Sequence, residues 1–95
     1  MRRAAKVDVN QAQIVAALRA VGASVQPLHA VGGGCTDLAV GFRGVNYMIE
    51  VKDGDKPPSA RKLTPDQVTW HEAWRGQVCV VKSVQEALEA IGVRT

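Results

Sequence analysis

The sequence predicts an α/β domain with the element order α-β-β-β-α-β-α, and three observations carry that expectation. Three segments open on capping residues and continue as helices. Two short apolar runs flank a turn that contains Gly44. A third apolar run of four residues sits between the last two helical segments.

The elements follow in order. Asn10, with Gln13 three residues later, has the form of a capping box, and Ile14, Ala17, Leu18 and Val21 recur at helical spacing until Gly22. A helix is expected over about 11–21. Ser24 to His29 reads as a strand, placed at a sheet edge because Pro27 has no N–H to give a ladder. Gly32, Gly33 and Gly34 break it. Asp37 to Phe42 and Tyr47 to Lys52 read as a hairpin closed by a turn over Arg43 to Asn46. Asp53 to Arg61 is a polar loop. Thr64-Pro65-Asp66-Gln67 opens the second helix: Thr caps, Pro fits the first helical position, Asp suits the first turn and Gln closes the box. That helix should reach about Arg75. Val78 to Val81 reads as a buried strand, and Ser83 with Glu86 opens a last helix that points Leu88 and Ile91 inward.

With 95 residues, 46% of them apolar, the chain has material for one core, so residues 1–95 are expected to be a single domain. Aromatic residues are only 4%, which leaves the core to Val, Ala, Leu and Ile. The first nine residues, with Arg2, Arg3 and Lys6, read as a basic N-terminal arm. A net charge of +3 suits a polyanionic partner without requiring one. Cys35 and Cys79 lack metal-site or redox spacing and read as free thiols, apolar filler in a reducing compartment. No apolar run is long enough for a membrane span, and no apolar stretch follows Met-Arg-Arg. The expected setting is the cytoplasm.

One constellation carries chemistry. Glu50 and Lys52 alternate with Ile49 and Val51 on a strand, so the two ionisable side chains share a face. Asp37 opens the preceding strand and falls opposite either Glu50 or Lys52, on that same face in both registers. Paired carboxylates repel unless a cation sits between them, and oxygen ligands with room for water suit Mg²⁺ or Mn²⁺. Asp37 and Glu50 are the expected ligands, with the carbonyl of Val51 as a third. Lys52 would orient a water or neutralise charge developing on a phosphate.

Gly34-Cys35-Thr36-Asp37, Glu50-Val51-Lys52 and a following helix with Gln67 resemble the PD-(D/E)XK nuclease superfamily. The closer resemblance, over Asn10 to about Gly92, is to its VRR-NUC branch of small phage and bacterial nucleases, related to Holliday-junction resolvases. It implies a restriction-endonuclease-like αβββαβ core, a mixed central sheet flanked by helices. It implies catalytic roles for Asp37, Glu50, Lys52 and Gln67, and a metal-dependent endonuclease acting as a homodimer on branched DNA, in a bacterial or phage-infected cell. Thr36 stands where many members have Pro. Members often carry an acid on the first helix, and the best-placed residue here is the amide Gln13. That departure motivates an alternative, a nuclease-fold DNA-binding module with little turnover. A third option is a small basic protein that binds RNA or another protein.

The remaining residues sort by position. Lys56, Arg61 and Lys62 flank the loop after the Glu50–Lys52 strand, and with Arg3 and Lys6 they are the expected DNA contacts. His29 is expected near Asp37, as a structural or phosphate-contacting residue. His71-Glu72 lacks the second His of a zinc helix. Trp70 and Trp74, four apart, read as core or dimer packing ahead of base stacking. The glycines at 32–34 read as a tight turn beside the site, without the pattern of a dinucleotide loop.

Overall fold

The computed structural model describes residues 9–94. Its helices are α1 (Gln11–Ala20), α2 (Pro65–Ala73) and α3 (Val84–Ala90), and its strands are β1 (Ser24–Pro27), β2 (Leu38–Phe42), β3 (Val45–Val51) and β4 (Val78–Val81). The expected order is therefore found, with one short 3₁₀ turn, Pro58–Ala60, inside the polar loop. The strands form a single mixed sheet in the order β1-β2-β3-β4, antiparallel except for the parallel β3–β4 pair. The crossover between β3 and β4 contains α2.

Arg43 and Gly44 close the β2–β3 hairpin in two residues rather than four. Both have positive φ, 51° and 79°, the combination that matches the twist of paired strands. Phe42 pairs with Val45 and Leu38 with Ile49. This register fixes the faces. Leu38, Val40, Ile49, Val51 and Val81 point to one side, where Ile14 and Leu18 of α1 meet Ala87 and Leu88 of α3 and the following Ile91. Each fully buried Leu, Ile or Val contributes about 1.5–3 kcal/mol, so this single layer holds the fold.

Three local expectations change. Asn10 does not cap α1 with its side chain; its Nδ2 donates instead to the carbonyls of Lys52 and Lys82, both at 3.1 Å. A tertiary tie between the ends of β3 and β4 has displaced the local capping box with Gln13. The first strand ends at Pro27, on a sheet edge as expected, and His29 lies in the exposed turn beyond it. The run 78–81 is not a buried strand: β4 is the other edge, and Val80 is 39% exposed. Cys35 and Cys79 are free thiols, half-buried.

Gly34 explains how the glycine segment serves the site. Its φ of +87° excludes most side chains, and an added Cβ would strike the backbone carbonyl of Asp66. The loop before β2 is thereby pressed against the first turn of α2. No helix among the described residues is long and apolar enough to cross a membrane.

Candidate active site

The hairpin register decides where Asp37 goes. Leu38 pairs with Ile49, so Asp37, one residue beyond the ladder, faces Glu50 rather than Lys52. Its Oδ2 accepts the N–H of Val51 at 2.7 Å, and its carbonyl accepts the N–H of Leu28 at 2.7 Å. The Val51 N–H thus fixes the carboxylate, and the Leu28 N–H fixes the backbone that carries it. Glu50 points away from the core layer, yet it is only 2% exposed.

Cover for Glu50 comes from α2. Its start is specified locally: the Thr64 hydroxyl accepts from Gln67 N, and Gln67 Oε1 accepts from Thr64 N at 3.0 Å. The capping box forms as expected, and its glutamine does more than cap. Gln67 Oε1 also accepts from Lys52 Nζ at 3.0 Å, while Gln67 Nε2 donates to Glu50 Oε2 at 3.0 Å. Lys52 Nζ lies 3.6 Å from that same Glu50 oxygen. One amide therefore joins the helix start, the lysine and the acid.

The electrostatics are unbalanced. Burial first, then the charge of Asp37 and the hydrogen bond their carboxyls share, pushes Glu50 up from 4.5 to about 8; Lys52 opposes the rise. Glu50 Oε1 is buried, and no N–H or hydroxyl of the protein donates to it. A buried carboxylate oxygen beside a second carboxylate, with only one lysine near, is a site short of positive charge. A divalent cation fits that deficit. Among the described residues no group of three or more His, Cys, Asp or Glu could hold a metal, so any ion here would take two carboxylates and complete its shell from a carbonyl such as that of Val51 and from water. Few protein ligands and several waters are what Mg²⁺ accepts.

No protein-family model matches the sequence, and no curated protein does. A solved structure described as "VRR_NUC domain" matches the fold with a TM-score of 0.63 at 28% sequence identity, covering 88% of this chain and 96% of that one. The chain has the VRR-NUC nuclease fold. The architecture expected from the resemblance, a mixed sheet flanked by helices, is the one observed.

Within this VRR-NUC fold the structure brings together Asp37, Glu50, Lys52 and Gln67, four residues from three segments of the sequence. It does not bring Gln13 to them. Gln13 is exposed and lines a cleft of about 170 Å³ with Asn10, Asp53, Asp55 and Lys82. The buried residue in that first turn is Gln11, and α1 has no acid there. His29 is exposed, one residue after the Leu28 N–H that bonds Asp37. Lys56 and Arg61 are half-buried and Lys62 is exposed, all on the approach to α2. Arg3 and Lys6 lie outside the described residues.

His71 carries no role in the sequence reading beyond the missing zinc motif. It stands four residues after Gln67, hence on the same helix face, with Nε2 buried and unpartnered. Burial first, then the charge of Lys52, holds its imidazole below the ordinary value. The i,i+4 spacing from Gln67 was the available signal. Trp70 and Trp74 are not core: α2 has no buried residue, and Trp74 is 42% exposed.

Proposed function

We propose that this protein is a Mg²⁺- or Mn²⁺-dependent DNA endonuclease that hydrolyses phosphodiester bonds in branched DNA, such as four-way junctions or flaps, as a homodimer. The observation that carries the reading is Glu50: a nearly fully buried acid with an oxygen that no N–H or hydroxyl reaches, facing Asp37 and tied through Gln67 to Lys52. Asp37, Glu50 and the Val51 carbonyl would hold the ion. When bound, a divalent ion polarises the phosphate and lowers the pKa of a nearby water.

The chain's own groups do the rest. Asp37, fixed by the Val51 N–H, keeps its orientation without help from substrate. Gln67 holds the lysine ammonium beside the acid, and an N–H of Lys52 not spent on Gln67 is free for a phosphate oxygen or the attacking water. As a water oxygen attacks phosphorus in line, the bond to the leaving sugar oxygen breaks. The water gives up a proton to solvent, and the sugar oxygen takes one from solvent. Lys52 neutralises charge that grows on the phosphate oxygens, and it does so from a pre-set position. The likeness to a VRR_NUC domain supports nucleic acid as the substrate. The described domain measures 38 × 29 × 27 Å and offers little surface for a branch point, which supports pairing of two copies.

One observation favours a second reading, the nuclease-fold binding module with little turnover: the first turn of α1 contains no acid. Cleavage of a labelled four-way junction, a flap and a linear duplex separates the two. Metal-dependent cutting of the branched substrates should fall at least ~100-fold in Asp37→Asn and Lys52→Ala, the scale of losing one preorganised charge-stabilising group. Binding without cutting, unchanged by EDTA, establishes the module instead.

A further inference from the structure

Neither the core nor the carboxylate pair accounts for the aromatic pair on α2. Trp70 and Trp74 are the only tryptophans of the chain. Their rings stack at 4.7 Å with an interplanar angle of 12°. In most small domains such a pair would be buried for its area. Here Trp74 is 42% exposed and closes a helix that buries no residue.

The pair's location is the second observation. Gln67, Trp70, His71 and Trp74 fall at the i, i+3, i+4, i+7 spacing of one helical stripe. The near end of the stripe touches Glu50 and Lys52 through Gln67. In its middle, His71 meets Trp70 edge-on, at 5.9 Å and 70°. Trp74 is two turns farther, about 10 Å along the axis at 1.5 Å per residue. On one DNA strand that distance is about three nucleotide steps of ~3.4 Å, or fewer where the strand is stretched.

We propose that Trp74, backed by Trp70, is a stacking platform for an unpaired nucleobase a few nucleotides from the phosphate that enters the Asp37–Glu50–Lys52 site. The inference rests on the nuclease reading and adds a substrate feature to it. Charge selects a nucleic acid over an apolar protein surface as the occupant. Exposed Arg75 follows the ring directly, and Arg61 and exposed Lys62 precede the other end of the helix, so cations stand at both ends of the stripe, where a strand running along it would bring phosphates. Glu72, at i+5 from Gln67, falls on another side of the helix. A base inside a duplex already stacks on its neighbours. An indole can gain contact only with one that is splayed out, so the platform selects strands with unpaired nucleotides over continuous duplex.

The test is equilibrium binding in EDTA, where nothing is cut, with labelled oligothymidylate and a fully paired duplex as probes. Oligothymidylate should quench the indole fluorescence. Trp74→Leu, which keeps apolar bulk and loses the ring, should weaken single-strand binding roughly 5- to 100-fold, the range for loss of one stacked base. It should leave duplex binding within about 2-fold, while Trp74→Phe retains most of the single-strand affinity. Equal losses on both probes, or none on either, overturn the platform. So does a Trp74→Leu protein that changes sedimentation but not DNA affinity, since the ring pair would then be a self-association surface. The two readings fail separately. A wild type that binds through Trp74 and never cuts removes the hydrolase and keeps the platform. A wild type that cuts while Trp74→Leu binds normally removes the platform alone.

Discussion

The two faces of the sheet are built on different principles. On one, α1 and α3 lay Ile14, Leu18, Ala87 and Leu88 against Leu38, Val40, Ile49 and Val51, all at most 9% exposed. On the other, α2 has no fully buried residue, only half-buried Gln67, Trp70 and His71, and is held by the two hydrogen bonds of Gln67, by its capping box and by the close approach of Gly34. Apolar burial is large and tolerant of detail, whereas a few directed polar contacts are weaker and geometrically exact. The difference teaches that stability and chemistry are separable here. One face can lose its fine geometry and stay folded, and the other can lose its function without unfolding the protein.

The sharpest way to break that contrast is truncation on each side. Leu18→Ala should cost about 2–5 kcal/mol in chemical denaturation, because a fully buried side chain leaves a cavity. Val68→Ala on α2, which is 39% exposed, should cost under ~0.5 kcal/mol. Comparable losses at both positions would mean that α2 packs far more tightly than its exposure indicates.

The next effect depends on pH. Glu50 titrates near 8 in the folded protein against 4.5 ordinarily, so folding favours its protonated form. Its contribution to stability is fully present below about pH 4.5 and is lost as pH rises through about 8. In EDTA the wild type should therefore lose melting temperature between pH 6 and 8.5 relative to Glu50→Gln, which cannot ionise. Added Mg²⁺ should stabilise the wild type most at the alkaline end, since it binds the ionised carboxylate. Parallel melting curves for the two proteins across that range would refute the burial argument.

The smallest effect is local. Thr64→Ala removes the cap of α2 and should cost about 1 kcal/mol. Amide exchange should speed up across residues 65–73 and stay unchanged in α1 and α3. If α1 and α3 respond too, the faces are coupled and the contrast fails.

Much of this was legible in the sequence because it was written locally. Thr64-Pro65-Asp66-Gln67 specifies a helix start without reference to the fold, and the alternation around Glu50 and Lys52 specifies their common face. The sequence makes the hairpin turn two residues too long because Asn46, like Gly44, is a turn former. The shorter turn then settled Asp37 opposite Glu50 rather than Lys52. What stayed hidden was tertiary. Asn10 looks like a cap and serves as a cross-tie to carbonyls 42 and 72 residues away. His71, half-buried Trp70 and exposed Trp74 gain meaning only once Gln67 shows which way α2 faces. That β4 is a half-open edge depends on which strands have neighbours, which no single run of valines can state.

Gln67 has one more consequence. Because the same amide caps α2 and clamps Lys52 to Glu50, fraying of the helix start and disassembly of the site are one event. The helix carrying it has no fully buried side chain, which is the mark of a segment at the low-stability end of a fold. On warming, the site should therefore premelt: amides of residues 65–73 should lose exchange protection at temperatures where those of α1 and α3 keep theirs, and regain it on cooling.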